Sequence, residues 1–230
     1  MFLSFIYNNI LLTMKTFYVE GNIGSGKSTF CKWIENNFNN FSNVIYEPVD
    51  EWKKTTDNKS NNLLDYFYKD PIRWAYTFQT MTLSSRIKSL DSYTNKNIRF
   101  VDRSIYCDKN VFAKNCYENG IFTDIEWKLY LDLFKSISNN FKFKPTAFIY
   151  IKTSPETCLK RIQKRNRNEE QNISLEYLKQ IHQKHEQWLN NDDFYIPIIV
   201  IDEILLDYQD EKKMNIIINI INDLIYFNQV

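Results

Sequence analysis

Residues 17–29 run Phe17-Tyr18-Val19-Glu20-Gly21-Asn22-Ile23-Gly24-Ser25-Gly26-Lys27-Ser28-Thr29, an apolar strand that breaks at glycine and restarts as a helix. Gly21 to Ser28 fits G-x-x-x-x-G-K-[ST], the loop whose backbone N–H groups wrap phosphate oxygens and whose lysine reaches the terminal phosphates. A helix opening near Lys27 turns its positive dipole end toward the same anion. Three of the chain's four glycines lie here, so backbone freedom is concentrated where a phosphate must come close. The whole stretch, Gly21, Asn22, Ile23, Gly24, Ser25, Gly26, Lys27, Ser28 and Thr29, is the expected triphosphate contact.

Outward from this loop, short apolar strands alternate with helical patterns. Helix 27–38 leads through an Asn-rich turn to a strand at 44–46, and Pro48 holds Glu47 extended at that strand's end. Residues 55–62 form a polar loop, and Pro71 opens a long helix over 72–90. A strand at 98–101 delivers Asp102-Arg103-Ser104. Helices follow over 105–118 and 124–138, the latter with a Thr123/Glu126 capping box. Strand 147–151, a helix capped by Ser154-Pro155, a helix over 173–189, strand 198–201 and a helix over 212–226 complete the chain. The expectation is an α/β fold, a five-stranded parallel sheet with helices on both faces, whose ligand crevice lies beyond the carboxyl ends of the strands.

The 230 residues, 43% of them hydrophobic, suffice for one core, and residues 14–230 are expected to form one domain. Residues 1–13 are apolar but too short to span a bilayer. Lacking the marks of a signal or transit peptide, they are expected to be a dispensable arm. A net charge of +1 supplies no global field to recruit nucleic acid or a membrane. Four scattered cysteines fit buried thiols in a reducing compartment, cytoplasmic with a mitochondrial location as the alternative. His182 and His185 stand one turn apart with no thiolate or carboxylate at zinc-site spacing, and are expected on the surface or in packing.

The residues after the strands distinguish among phosphate-loop proteins. No D-x-x-G or N-K-x-D of a GTPase is present. Glu47 suits a general base that takes a proton from an attacking hydroxyl. Asp102, with Ser28, suits Mg²⁺ or its waters, and Arg103 the acceptor hydroxyl or the transferring phosphoryl. Gln79 and Arg86, two turns apart on one helix, offer amide and guanidinium groups for a base edge. Lys160 to Glu170 holds five basic and two acidic residues, the composition of a lid that neutralises transferred phosphoryl charge, or of a solvated helix face.

Five motifs occur together and in order: Gly21 to Thr29, Glu47-Pro48-Val49, Tyr76 to Thr80, Asp102 to Asp108 and Arg165 to Glu170. With them the chain, from about Thr16 to Leu189, resembles the deoxycytidine/deoxyguanosine kinase branch of the deoxyribonucleoside kinases. The resemblance implies transfer of the ATP γ-phosphoryl to a deoxynucleoside 5′-hydroxyl with Mg²⁺, Glu47 as base, and Lys27 and Ser28 on the phosphates and metal. It also implies that Arg103 orients the 5′ end, that Tyr68 and Glu170 hold the 3′-hydroxyl, and that Gln79 pairs with the base. Trp52, Phe78 and Phe112 would wall the base, with Ile23 beside the nucleoside, and Arg161, Arg165 and Arg167 would be ATP-facing arginines of a lid at 161–172. Asp102 departs from the branch's usual glutamate: the shorter carboxylate keeps the charge but sits one methylene back, so metal binding is expected through water.

Members that accept purines or deoxycytidine pair an arginine with an aspartate, here Arg86 and Asp108. The run from Val111 through Trp127 looks most like deoxyguanosine kinase, and Thr82 is compatible with a purine. Deoxyguanosine is therefore the expected substrate, with deoxyadenosine or deoxycytidine the alternative. A nucleoside monophosphate kinase and a non-catalytic nucleotide-binding module are weaker readings. A homodimer packed through 105–138 and inhibition by the matching deoxynucleoside triphosphate are further implications of the resemblance.

Overall fold

The computed structural model describes residues 14–58, 62–91, 96–139, 144–191 and 195–226. The expected N-terminal arm lies outside them. Five strands, β1 (Lys15–Glu20), β2 (Ser42–Ile45), β3 (Ile98–Asp102), β4 (Ala147–Lys152) and β5 (Ile198–Asp202), form one parallel sheet in the order β2-β3-β1-β4-β5. The strands are apolar on both faces because helices cover both, and the period of two sorts their side chains. Phe17, Val19, Phe100, Ile149 and Ile151 pack on one side under α1 (Lys27–Phe38) and the closing helix α9 (Glu211–Tyr226). Tyr18, Val101, Phe148 and Tyr150 face the other side. There they meet α4 (Pro71–Leu90), α6 (Asp124–Asn139) and α8 (Leu175–Leu189).

Two short helices precede α4: α2 (Val49–Lys54) and α3 (Leu63–Lys69). The sequence reading assigned no helix to either stretch. Asn62 accepts from the Asp65 amide while the Asp65 side chain accepts from the Asn62 amide, so α3 carries a capping box at its start. Asp70 caps α4, with Pro71 in its first turn. Strand β2 begins at Ser42, two residues before the expected strand, and Tyr46 lies past its end.

The expected helix 105–118 is composite. Ile105–Cys107 and Lys114–Glu118 are α-helical, but Asp108–Ala113 between them is a π-helix, a wider turn often found at functional sites. We call the composite α5. Helix α7 (Pro155–Arg165) starts at the Ser154 cap and ends at Asn166, which is left-handed at φ 51°.

The central strands place the site. In the β1–β3 ladder Val19 stands opposite Asp102, so the loop after β1 and Arg103 after β3 leave the sheet side by side. Their chains then diverge, α1 to one face of the sheet and α5 to the other. This divergence opens the crevice of a doubly wound sheet.

Candidate active site

The Gly21–Ser28 loop is tightly enclosed. A Cβ on Gly21, at φ +148°, would lie 2.6 Å from the Ile151 carbonyl oxygen, and one on Gly24, at φ +79°, 2.6 Å from that of Cys158. Only glycine fits both the backbone conformation and the space. Asn22 fixes the loop from within, donating from Nδ2 to the Leu178 carbonyl on α8 at 2.8 Å and accepting from the Ile23 amide at 2.8 Å. Thr153 Oγ1 and Arg161 Nη1 both donate to the Ser25 carbonyl, at 3.0 and 2.8 Å. Lys27 Nζ donates to the Asn22 carbonyl at 2.7 Å. Burial and then nearby Arg103 lower its pKa to about 8, against the opposite pull of Asp102 and Glu47.

Beside the loop lies a cavity of about 280 Å³, close to the lower end of small-ligand sites at roughly 300 Å³. Ile23, Gly24, Lys27 and Ser28 line it at the loop end, and Glu47, Asp102 and Arg103 stand beside them. Glu47 is part-buried, with Oε1 2.6 Å from Arg86 Nη2 and 3.2 Å from Arg103 Nε. Burial by itself would raise the Glu47 pKa, but Arg86, Arg103 and Lys27 hold the carboxyl below the usual carboxylate range. It is therefore ionised at neutral pH. Asp102 accepts from Ser28 Oγ at 2.9 Å through Oδ2, while its buried Oδ1 has no partner among the described residues. Burial, followed by the closeness of Glu47, pushes its pKa up, against Lys27 and Arg103. A hydroxyl paired with a carboxylate that keeps one oxygen free is an all-oxygen donor set of the kind Mg²⁺ takes.

The far end of the cavity is aromatic and amide-bearing. Phe78 stacks on Phe67 at 4.7 Å and meets Trp52 edge-on at 5.5 Å. Gln79 and Thr82 line the cavity from the buried face of α4, and Gln79 is only 2% exposed. The Gln79 amide has no protein partner among the described residues, so its donors and acceptor are free for a ligand. Arg86, on the same face, is held through all three guanidinium nitrogens, with one N–H left on each of Nη1 and Nη2. Its Nε donates to both Asp108 oxygens at 3.0 and 2.8 Å, Nη1 to the Asp102 carbonyl at 3.2 Å, and Nη2 to Glu47. Phe112 lies under the Arg103 guanidinium, 4.8 Å from its ring centre.

With this geometry in hand, comparison with known proteins is decisive: the family model described as deoxynucleoside kinase matches residues 17–226. The chain belongs to that family. It is 36% identical over 222 residues to a probable deoxycytidine kinase of fowlpox virus, covering 94% of this chain and 91% of that protein. Human deoxycytidine kinase is 36% identical over 229 residues, 87% of each chain. The mitochondrial deoxyguanosine kinase of Xenopus laevis is 36% identical over 201 residues, 79% of this chain and 76% of that one. This deoxynucleoside kinase is thus similar to enzymes named for two different bases.

In this kinase Tyr68, Arg165, Arg167 and Glu170 close the remaining side of the cavity. Glu170 holds both arginines, Arg165 through Nε at 3.1 Å and through Nη2, and Arg167 through Nη1 at 3.3 Å. Arg161 is apart from them, on the Ser25 carbonyl behind the loop. Gly21, Asn22, Ser25, Gly26 and Thr29 shape the loop without lining the cavity.

The sequence reading missed Val49, Leu64, Phe67 and Tyr177, which also line the cavity. Asn62 and Asp65, three apart, were the available signal for α3, which carries Leu64 and Phe67. A second difference concerns the histidines. His185 does pack in the core, but the partners absent at local spacing arrive through the fold. Donor atoms of Glu20, Cys107 and His185 lie within 4.8 Å of one another, all fully buried. All four cysteines are free and buried, as expected. No helix among the described residues is long and apolar enough to cross a membrane.

Proposed function

We propose that this deoxynucleoside kinase transfers the γ-phosphoryl of Mg²⁺–ATP to the 5′-hydroxyl of deoxyguanosine. The observation that carries the reading is the shared cavity of Glu47 and Gln79, with Lys27 and Ser28 of the phosphate loop at its mouth. Glu47 takes the proton of the 5′-hydroxyl as that oxygen attacks the γ-phosphorus. Arg103 orients the hydroxyl and Lys27 neutralises phosphate charge. Ser28 and Asp102 would hold Mg²⁺, which when bound offsets charge on the β- and γ-oxygens.

The sugar 3′-hydroxyl goes to Tyr68 and Glu170, and the base to Gln79 between Phe78, Trp52 and Phe112. Arg165 and Arg167 act as lid arginines, leaving Glu170 for the phosphates, while Arg161 steadies the loop. Guanine presents ring donors and acceptors that the free Gln79 amide and the Arg86–Asp108 pair can match. Deoxycytidine is the second reading, favoured by the names of most of the relatives.

Two further proposals accompany it. The exposed face of α6 carries Ile125, Leu129 and Leu133, 71%, 52% and 38% exposed at spacing i, i+4, i+8, an apolar stripe that a second copy would cover. Because the nucleoside cavity adjoins the phosphate loop, a deoxynucleoside triphosphate would fill both at once and inhibit.

Steady-state transfer from Mg²⁺–ATP to the four deoxynucleosides and their monophosphates tests the reading. Deoxyguanosine should give the highest kcat/KM, and excess chelator should stop turnover. A higher value for deoxycytidine selects the second reading, and activity confined to monophosphates refutes both.

A further inference from the structure

Arg103, adjacent to Glu47, has φ 66°, a left-handed conformation unusual for a residue with a side chain. It costs about 1–2 kcal/mol, so the surroundings must impose it. The Arg103 amide donates to the Val19 carbonyl at 3.0 Å, and the next amide, Ser104 N, to Glu20 Oε1 at 2.9 Å. Glu20, the last residue of β1, therefore grips the backbone just past Arg103 from the neighbouring strand.

The side chain is held as well. Arg103 Nη1 donates to the Gly21 carbonyl at 2.7 Å and approaches Cys107 Sγ at 3.7 Å. That sulfur lies 3.6 Å from His185 Nε2, and His185 Nδ1 is 2.8 Å from the Ile181 carbonyl. A carbonyl can only accept, so Nδ1 carries the ring proton and Nε2 accepts from the thiol. Donors then run in one direction, from the guanidinium to Cys107, from Cys107 to His185, and from His185 to the backbone of α8. The His185 ring is buried and lies parallel to Tyr150, with the ring centres 5.8 Å apart.

Three buried donor groups this close would suit a soft divalent ion. The Arg103 guanidinium already supplies the positive charge at the sulfur, so the cluster has another use.

We propose that Glu20, Cys107 and His185 are positioning residues that hold Arg103 in its left-handed conformation and aim its guanidinium at Glu47 and the phosphate loop. The same helix α8 anchors the loop through Leu178 and Asn22. Acceptor-side and loop-side geometry are therefore referred to one rigid element. The proposal rests on the kinase reading above, because it assigns the cluster to the same transfer.

The test is a double-mutant cycle in the full chain, with kcat and KM measured for ATP and the preferred deoxynucleoside. Glu20→Met, which removes the acceptor for Ser104 N, should lower kcat at least tenfold while the KM for ATP stays within threefold. Glu20→Gln, which keeps an acceptor, should regain most of that loss, and Cys107→Ser should do so relative to Cys107→Val. In an Arg103→Lys background Glu20→Met should lower kcat by less than a further twofold, since the arginine through which it acts is gone. An undiminished tenfold loss in that background overturns the proposal. If Glu20→Met does not fold, Cys107→Val takes its place in the cycle and decides by the same criterion. Wild-type protein that phosphorylates no deoxynucleoside would refute the functional reading, whereas an additive cycle in an active enzyme refutes only the positioning role.

Discussion

Replacing Glu47 with glutamine exchanges the carboxylate for an amide of the same size and separates its two roles. As base, its loss should lower kcat by the 10²–10⁴-fold typical of a positioned proton acceptor, about 3–5 kcal/mol of barrier. As ion-pair partner, it sits 2.6 Å from Arg86 and 3.2 Å from Arg103. Arg86 keeps Asp108 when Glu47 is neutralised, but Arg103 keeps no carboxylate partner among the described residues. Breaking a fully buried pair costs about 3–5 kcal/mol, and partial exposure of Glu47 reduces this to roughly 1–2 kcal/mol by solvent screening. At about 2–4 °C per kcal/mol for a chain of this size, Tm should fall by roughly 2–8 °C, leaving the protein folded at 25 °C. Saturating Mg²⁺–ATP and deoxynucleoside in a coupled assay give kcat, and equilibrium titration gives ATP affinity, expected within threefold of wild type. A folded, ATP-binding Glu47→Gln protein whose kcat is within tenfold of wild type would refute the assignment of the base.

Burial, against hydrogen bonds from Ser104 and the charge of Arg103, raises the Glu20 pKa from 4.5 to about 7. Between those values the folded state binds more protons than the unfolded one, so this group's contribution is fully present below pH 4.5 and is lost as pH rises through 7. Buried neutral His185, depressed by burial and by Arg103, has the opposite slope below its usual value, so the difference between wild type and Glu20→Gln isolates the carboxyl. Unfolding free energies at pH 5 and pH 7.5 should show the variant gaining roughly 2 kcal/mol relative to wild type, and an equal difference at both pH values would refute the raised pKa. Leu129→Glu places a charge in the exposed apolar stripe of α6, and light scattering should change from a dimer to a monomer with the fold intact. A variant with the same mass as wild type would exclude that face as the contact.

Much of the fold was legible because local chemistry sets it. Phe17 to Val19 and Ala147 to Ile151 are apolar runs too short for helices, and Ser154-Pro155 and Thr123/Glu126 announce helix starts. The short helices α2 and α3 were missed because neither is long enough to show a helical period, and α3 is marked mainly by its cap. The π-helical turn at Asp108–Ala113 carries no distinct signal, since its residues suit an α-helix equally.

Within the candidate site, motif residues such as Lys27, Glu47, Gln79 and Asp102 stood out as polar groups in the phosphate loop, at or after strand ends or on the long helix. Val49, Leu64, Phe67 and Tyr177 did not, because an apolar wall residue looks the same as any core residue. By itself the sequence determined that a phosphate loop follows a strand, that a parallel sheet results, and which charged groups leave its carboxyl edge. Only the tertiary structure decided which of them meet. Glu20, Cys107 and His185 come from β1, α5 and α8, as much as 165 positions apart. Contacts at such range depend on how the sheet orders its strands and which face each helix covers, and no local pattern of residues encodes either.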